Sequence, residues 1–148
     1  VFAWTEDTIN EIRKYTDRKI IVRPHPLYRK STLHHKLKEK VLAVADVHWQ
    51  EADVTKSNFV PIAEQLKNAW CTVTYSSGTG IDAVINGIPN VACDTGSMVY
   101  DVSTKDIAGV EKPYRGEKRK WSNKIAHCQW SVEEFESGEC WEHVSKSI

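Results

Sequence analysis

The sequence predicts an α/β fold: a Rossmann-like parallel sheet with helices on both faces and a helical C-terminal tail. Three observations point that way. Short β-branched and aromatic runs at 19–23, 71–75 and 91–93 alternate with stretches whose apolar residues recur at helical spacing. The runs have apolar or β-branched centres, as strands covered on both faces do. Each is followed by turn-forming residues, Pro24-His25-Pro26, Ser76-Ser77-Gly78 and Thr95-Gly96-Ser97, so helix and strand alternate along the chain.

Taken in order, residues 5–14 read as a helix with Thr5 as N-cap, acids Glu6 and Asp7 in the first turn, and Arg13 and Lys14 in the last. The strand at 19–23 stops at Pro24, because proline supplies no N–H to a ladder. Residues 31–40 read as a solvated helix whose narrow apolar stripe is Leu33 and Leu37. The run 41–49 reads as a second strand, 50–56 as loop, and 58–69 as a helix with Pro61 in its first turn. After the 71–75 strand, Ile81, Val84 and Ile85 fall on one face of a helix of about two turns. Gly87 stops that helix, Pro89 prevents its continuation, and 91–93 returns as a strand. Residues 105–120 form a polar surface connection carrying Arg115, Lys118, Arg119 and Lys120. The tail, 121–148, is helical, with Trp121, Ile125, Cys128 and Val132 on one face, a capping box at Ser131 and Glu134, and a break at Gly138. Trp121, Trp130 and Trp141 are expected to pack it onto the sheet.

The 148 residues suit one domain, 1–148, with a core of its own. Twenty basic and twenty acidic residues cancel, so no global field draws the chain to nucleic acid or to a membrane surface. No apolar run approaches a membrane span, and no signal-peptide pattern is visible. Four cysteines lack C-x-x-C spacing, and Cys71 and Cys93 lie in apolar strands, as buried thiols of a reducing, cytoplasmic compartment do. His127, Cys128, Cys140 and His143 match no common zinc-ligand spacing, so no metal is expected.

The chemistry concentrates between residues 74 and 97. A tight turn that opens a helix leaves N–H groups for an anion, above all a phosphate, and glycines let a ligand approach the backbone. Ser76, Ser77 and Thr79 add hydroxyls, and Gly78 and Gly80 clear the approach. A plainer reading competes: Thr79-Gly80-Ile81-Asp82 fits a capping box, which would satisfy the helix end without a ligand. In a parallel sheet Arg23 and His25, the Ser76–Gly80 turn, and the Gly96-Ser97 loop all belong to the carboxyl edge, where ligands bind. His25 could hydrogen-bond or protonate a phosphate, or simply brace a turn between two prolines. Arg115 could reach over an anion from its surface connection.

Arg23-Pro24-His25-Pro26, Tyr75-Ser76-Ser77-Gly78-Thr79-Gly80 and Asp94-Thr95-Gly96-Ser97 together resemble the donor-binding C-terminal half of GT-B glycosyltransferases, of the capsule-polysaccharide and phage-encoded kind. The run from Gly80 to Pro89 and the tail from Ile125 to Gly138 are similar to that half-domain too. The resemblance implies that His25-Pro26 and Ser76-Ser77 hold a nucleotide-sugar phosphate, with His25 as the catalytic donor. It implies a nucleotide-sugar substrate, no separate cofactor, and an incomplete site, because the acidic base of such enzymes comes from an N-terminal acceptor half. An acceptor domain, a partner chain or a second copy would complete it. Asp82 then caps the helix or meets a ribose hydroxyl. Two other classes remain open. Gly78-x-Gly80-x-x-Ala83 formally satisfies a dinucleotide fingerprint, which would make the chain an NAD(P)-binding oxidoreductase domain. A non-catalytic nucleotide- or protein-binding module also fits the length.

Overall fold

A computed structural model describes residues 2–25, 32–51, 55 and 59–146. The described chain is α/β, with seven α-helices and two parallel two-stranded sheets. It divides into two compact units, 1–116 and 117–148.

The first half of the larger unit runs α1 (Phe2–Arg13), β1 (Ile20–Val22), α2 (Thr32–Leu42) and β2 (Val47–Trp49). β1 and β2 pair in parallel, Ile20 opposite Val47 and Val22 opposite Trp49. Ile9 of α1 and Leu37 and Val41 of α2 close on Val47, with Ile20, Val22, Val44 and Trp49 around them. α1 begins at Phe2, so Thr5 lies inside it and is not its cap. On α2 the buried stripe is His34, Leu37 and Val41, at i, i+3 and i+7, whereas Leu33 is 56% exposed. The expected strand at 41–49 is split: Val41 and Leu42 finish α2, and a turn at Asp46 (φ 53°) restarts the chain as β2. Arg13 fixes that turn. Its guanidinium donates to the carbonyls of Ala45 (3.1 Å), Asp46 (3.2 Å), Thr16 (3.0 Å) and Arg18 (2.6 Å), joining the amino ends of β1 and β2 to the end of α1.

His34 stands edge-on to Trp49 with ring centroids 4.9 Å apart, and it is buried. Burial pushes its imidazole below the ordinary pKa of 6.5, against the opposing pull of the Glu51 carboxylate. The unfolded chain therefore takes up this proton more readily than the folded state as pH falls below about 6.5. Stability is expected to be level above that pH and to decline as pH drops from it toward 5, before carboxylates begin to titrate. Urea midpoints across this window should show the decline, and His34→Gln should flatten it.

The second half runs α3 (Ile62–Leu66), β3 (Thr72–Thr74), α4 (Thr79–Ile85) and β4 (Asn90–Ala92), then 3-10 turns at Tyr100–Val102 and Ile107–Gly109. Pro61 caps α3, and the expected start at Asn58 lies outside the described residues. β3 and β4 pair in parallel, and Thr104 adds a further parallel bridge to Val91. α4 buries Gly80, Ala83 and Val84, not the expected trio, since Ile85 is 66% exposed. It ends in a Schellman motif: Ile88 N–H donates to Ala83 O (2.9 Å) and Gly87 N–H to Val84 O (3.2 Å), with Gly87 at φ 78°. Each strand is three residues long, and no ladder joins β1 to β3 among the described residues. The parallel α/β architecture of the sequence is present, as two pairs rather than one continuous sheet.

The smaller unit comprises α5 (Arg119–His127), α6 (Val132–Ser137) and α7 (Glu139–Ser145). The capping box forms as its sequence requires: Ser131 Oγ accepts from Glu134 N–H (3.2 Å) and the Glu134 carboxylate accepts from Ser131 N–H (2.7 Å). Gly138, at φ 85°, separates α6 from α7. The expected shared apolar face does not form. Trp121 is buried, whereas Cys128 and Val132 are exposed and Trp141 is 70% exposed.

Candidate functional site at the carboxyl edge

Whether the candidate residues meet depends on the two strand pairs pointing the same way. Arg13 shows that α1 ends at the amino edge of β1 and β2, so its first turn lies at their carboxyl edge. There the Trp4 ring meets the edge of Tyr75, the residue after β3, with centroids 5.6 Å apart and planes at 73°. Arg23, just past β1, donates to Val60 O (2.6 Å), before α3, and to Gln65 Oε1 (3.1 Å) within it. At the opposite edge Arg18, before β1, pairs with Glu111 (3.0 Å) and lies over Trp70, before β3, at 4.1 Å. Both edges are thus cross-linked in the same sense, and the carboxyl ends of β1 and β3 share one side of the unit.

His25 is exposed three residues past Val22, and Pro26 lies outside the described residues. Arg23 is committed elsewhere. Besides its bonds to Val60 and Gln65 it lies over Phe59 at 5.4 Å, and its burial lowers its pKa. It is a clamp between β1 and α3 rather than an open cation.

The turn after β3 differs from both sequence expectations. The Thr79–Asp82 capping box does not form: Gly78 is the N-cap, and no side chain caps that end. Instead Ser77 Oγ accepts from Thr79 N–H (3.2 Å), and Ser77 O accepts from Gly80 N–H (3.0 Å). Ile81 and Asp82 N–H groups bond Gly78 O at 2.9 and 3.2 Å. The helix starts one residue earlier than a Thr79 cap requires, and its first-turn amides are already satisfied. The donors left for a ligand are the hydroxyls of Ser76, Thr79 and Ser77, whose Oγ only accepts here, and the amides of Ser77 and Gly78. Asp82 is exposed in the first turn, where a carboxylate complements the helix dipole and opposes an incoming anion.

The two glycines of this turn play different parts. A Cβ on Gly80 would stand 2.9 Å from Val99 Cγ2 and 3.2 Å from Thr74 Oγ1, so close packing of α4 on the sheet requires glycine there. A Cβ on Gly78 would meet nothing within 4 Å, and its φ of −56° suits any residue. Neither crowding nor conformation explains Gly78.

After β4, Asp94 Oδ1 accepts from Gly96 N–H (2.8 Å), closing the small loop. The Tyr75 phenol bonds the same carboxylate, which raises the Tyr75 pKa. Asp94 therefore ties the end of β3 to the loop after β4. Ser97 is 6% exposed, and its Oγ has no hydrogen-bond partner among the described residues. Arg115 is not gathered with these groups. It lies over Trp70 at 4.9 Å, at the opposite edge. That amino edge also carries an open groove of roughly 570 Å³ lined by Arg13, Thr16, Arg18 and Glu111, but its arginines are occupied by backbone carbonyls and by Glu111.

Two residues given no role by the sequence organise the site. Asp94, quoted there only as part of a motif, is one. The other is Asn90, 0% exposed: its Oδ1 accepts from Thr72 Oγ1 (2.7 Å) and Thr74 Oγ1 (3.1 Å), and its Nδ2 donates to Ser103 Oγ (3.1 Å). Ser103 Oγ in turn donates to Val99 O (2.7 Å), locking the segment that covers Gly80. An asparagine between apolar strand residues, facing threonines at alternate positions, is the signal that could have revealed it.

No group of three or more His, Cys, Asp or Glu side chains that could hold a metal occurs among the described residues. No described helix is long and apolar enough to cross a membrane. Burial pushes the Cys71 thiol up to about 11 and raises Cys93, which disfavours the thiolate of each. Comparison with protein-family models, with curated proteins and with solved structures returns no match.

Proposed function

We propose that this chain is the nucleotide-sugar donor-binding half of a GT-B-like glycosyltransferase, its two parallel pairs being parts of one Rossmann-like sheet. One observation carries the reading: His25 after β1 and the Ser76–Gly78 turn after β3 belong to the same edge, the edge where α/β proteins bind ligands. The unexplained Gly78 and the buried, unpartnered Ser97 hydroxyl support it, because both suit a ligand that approaches the backbone and brings an acceptor. In this reading the phosphate of the donor sits against the hydroxyls of Ser76 and Thr79 and the amides of Ser77 and Gly78. His25 donates to the departing phosphate oxygen as negative charge develops there. Asp82 faces that charge unfavourably. A partner domain or chain supplies the acceptor site and the catalytic base.

Calorimetric titration with CMP, UDP, GDP and NAD tests this. One nucleoside phosphate is expected to bind, with affinity falling about tenfold in both Ser76→Ala and His25→Ala, the loss of one charge-assisted hydrogen bond each. Asp82→Asn should tighten binding a few-fold by removing a like charge. NAD binding unaffected by His25→Ala would assign the chain to the dinucleotide class instead.

A further inference from the structure

Between Glu117, whose carboxylate accepts from the Arg119 amide, and Lys146, the smaller unit separates its charges along the chain. Residues 118–128 carry four basic side chains, Lys118, Arg119, Lys120 and Lys124, and no acid. Residues 129–145 carry five acids, Glu133, Glu134, Glu136, Glu139 and Glu142, and no lysine or arginine. Apart from Glu134 in its capping box, none of these side chains forms an ion pair or side-chain hydrogen bond among the described residues. Two stretches of opposite sign are left without ion pairs among the described residues.

The acidic helices also leave large apolar side chains in water. Val132 and Phe135, at i and i+3 on α6, are 68% and 64% exposed, and Trp141 and Val144, at i and i+3 on α7, are 70% and 39% exposed. A phenylalanine and a tryptophan so exposed, with two valines, present on the order of 400 Å² of apolar surface. That is about half of what one partner contributes to a stable interface, the rest being polar rim. The rim here is glutamate, so the surface that covers it is cationic.

We propose that the occupant is the α5 helix of a second copy of this chain. In a two-fold dimer the α5 of each copy lies on the α6–α7 pair of the other, so the contact is made twice and both stretches are neutralised. The aliphatic stems of Arg119, Lys120 and Lys124 cover Phe135 and Trp141 while their charged heads reach the glutamates. The mode is independent of nucleotide binding, which belongs to the other unit.

Sedimentation velocity of the full chain, from micromolar to about 0.2 mM, is the test. Twice the chain mass is expected at low ionic strength, reverting to the monomer near 1 M salt, where the screening length falls to about 3 Å. Phe135→Ser with Trp141→Ser should raise the dissociation constant at least tenfold; both positions are exposed, so circular dichroism should be unchanged. Lys120→Glu with Lys124→Glu should abolish the dimer alone and recover it when mixed with a Glu136→Lys, Glu139→Lys copy. A monomer at every concentration, or a dimer indifferent to charge reversal, would overturn the proposal.

Discussion

Asn90→Ala is expected to cost about 3 kcal/mol of folding stability, among the largest single-residue effects in the chain. The substitution removes the acceptor of the Thr72 and Thr74 hydroxyls and the donor to Ser103 in one step. These groups lie in a dry part of the unit, with Asn90 at 0% and Ser103 at 4% exposure, so water does not replace the lost partner without opening the structure. Each stranded hydroxyl carries a penalty of roughly 1–3 kcal/mol, moderated by rotation toward other acceptors. The damage spreads to the site, because Ser103 holds Val99 over Gly80. Urea denaturation gives the number directly. A loss under about 1 kcal/mol would mean that the network contributes little to stability.

The second large effect is a contrast between two neighbouring glycines. Gly80→Ala is expected to destabilise by about 2 kcal/mol although alanine is the better helix former, because its methyl group would enter the 2.9 Å approach to Val99. Gly78→Ala should change stability by no more than about 0.5 kcal/mol, since its surroundings are open and its φ is ordinary. Thermal unfolding of the pair separates the two roles. The sequence shows both as glycines of one phosphate-type turn. Equal and large losses would show that Gly78 is crowded too.

The contrast shows what the sequence could and could not convey. Local chemistry was legible: the Gly87 and Gly138 stops, the Ser131 capping box and the short strands at 20–22, 72–74 and 90–92 appear where turn and cap rules put them, whereas the strand read at 41–49 is split. Those signals depend on residues a few positions apart. Errors arose where distant partners decide. Leu33 and Ile85 look like anchors by periodicity, yet the buried positions are His34 and Ala83, chosen by what packs opposite. Arg23 and Arg115 read as anion ligands until Gln65, Phe59 and Trp70 claim them. Thr79 fits a capping box by spacing, but Ser77 turns the chain first. Asn90 was invisible as a hub because its three partners lie 13 to 18 residues away.

The shared carboxyl edge is most directly tested by backbone amide shifts during a titration of the isotopically labelled chain with the nucleoside phosphate that binds. Saturable shifts at His25, at Ser76 to Thr79 and at Gly96 and Ser97, moving together with one dissociation constant, are expected. Shifts at Arg18, Trp70 and Arg115 instead, or no coupling between His25 and the Ser76 turn, would contradict a common site on that edge.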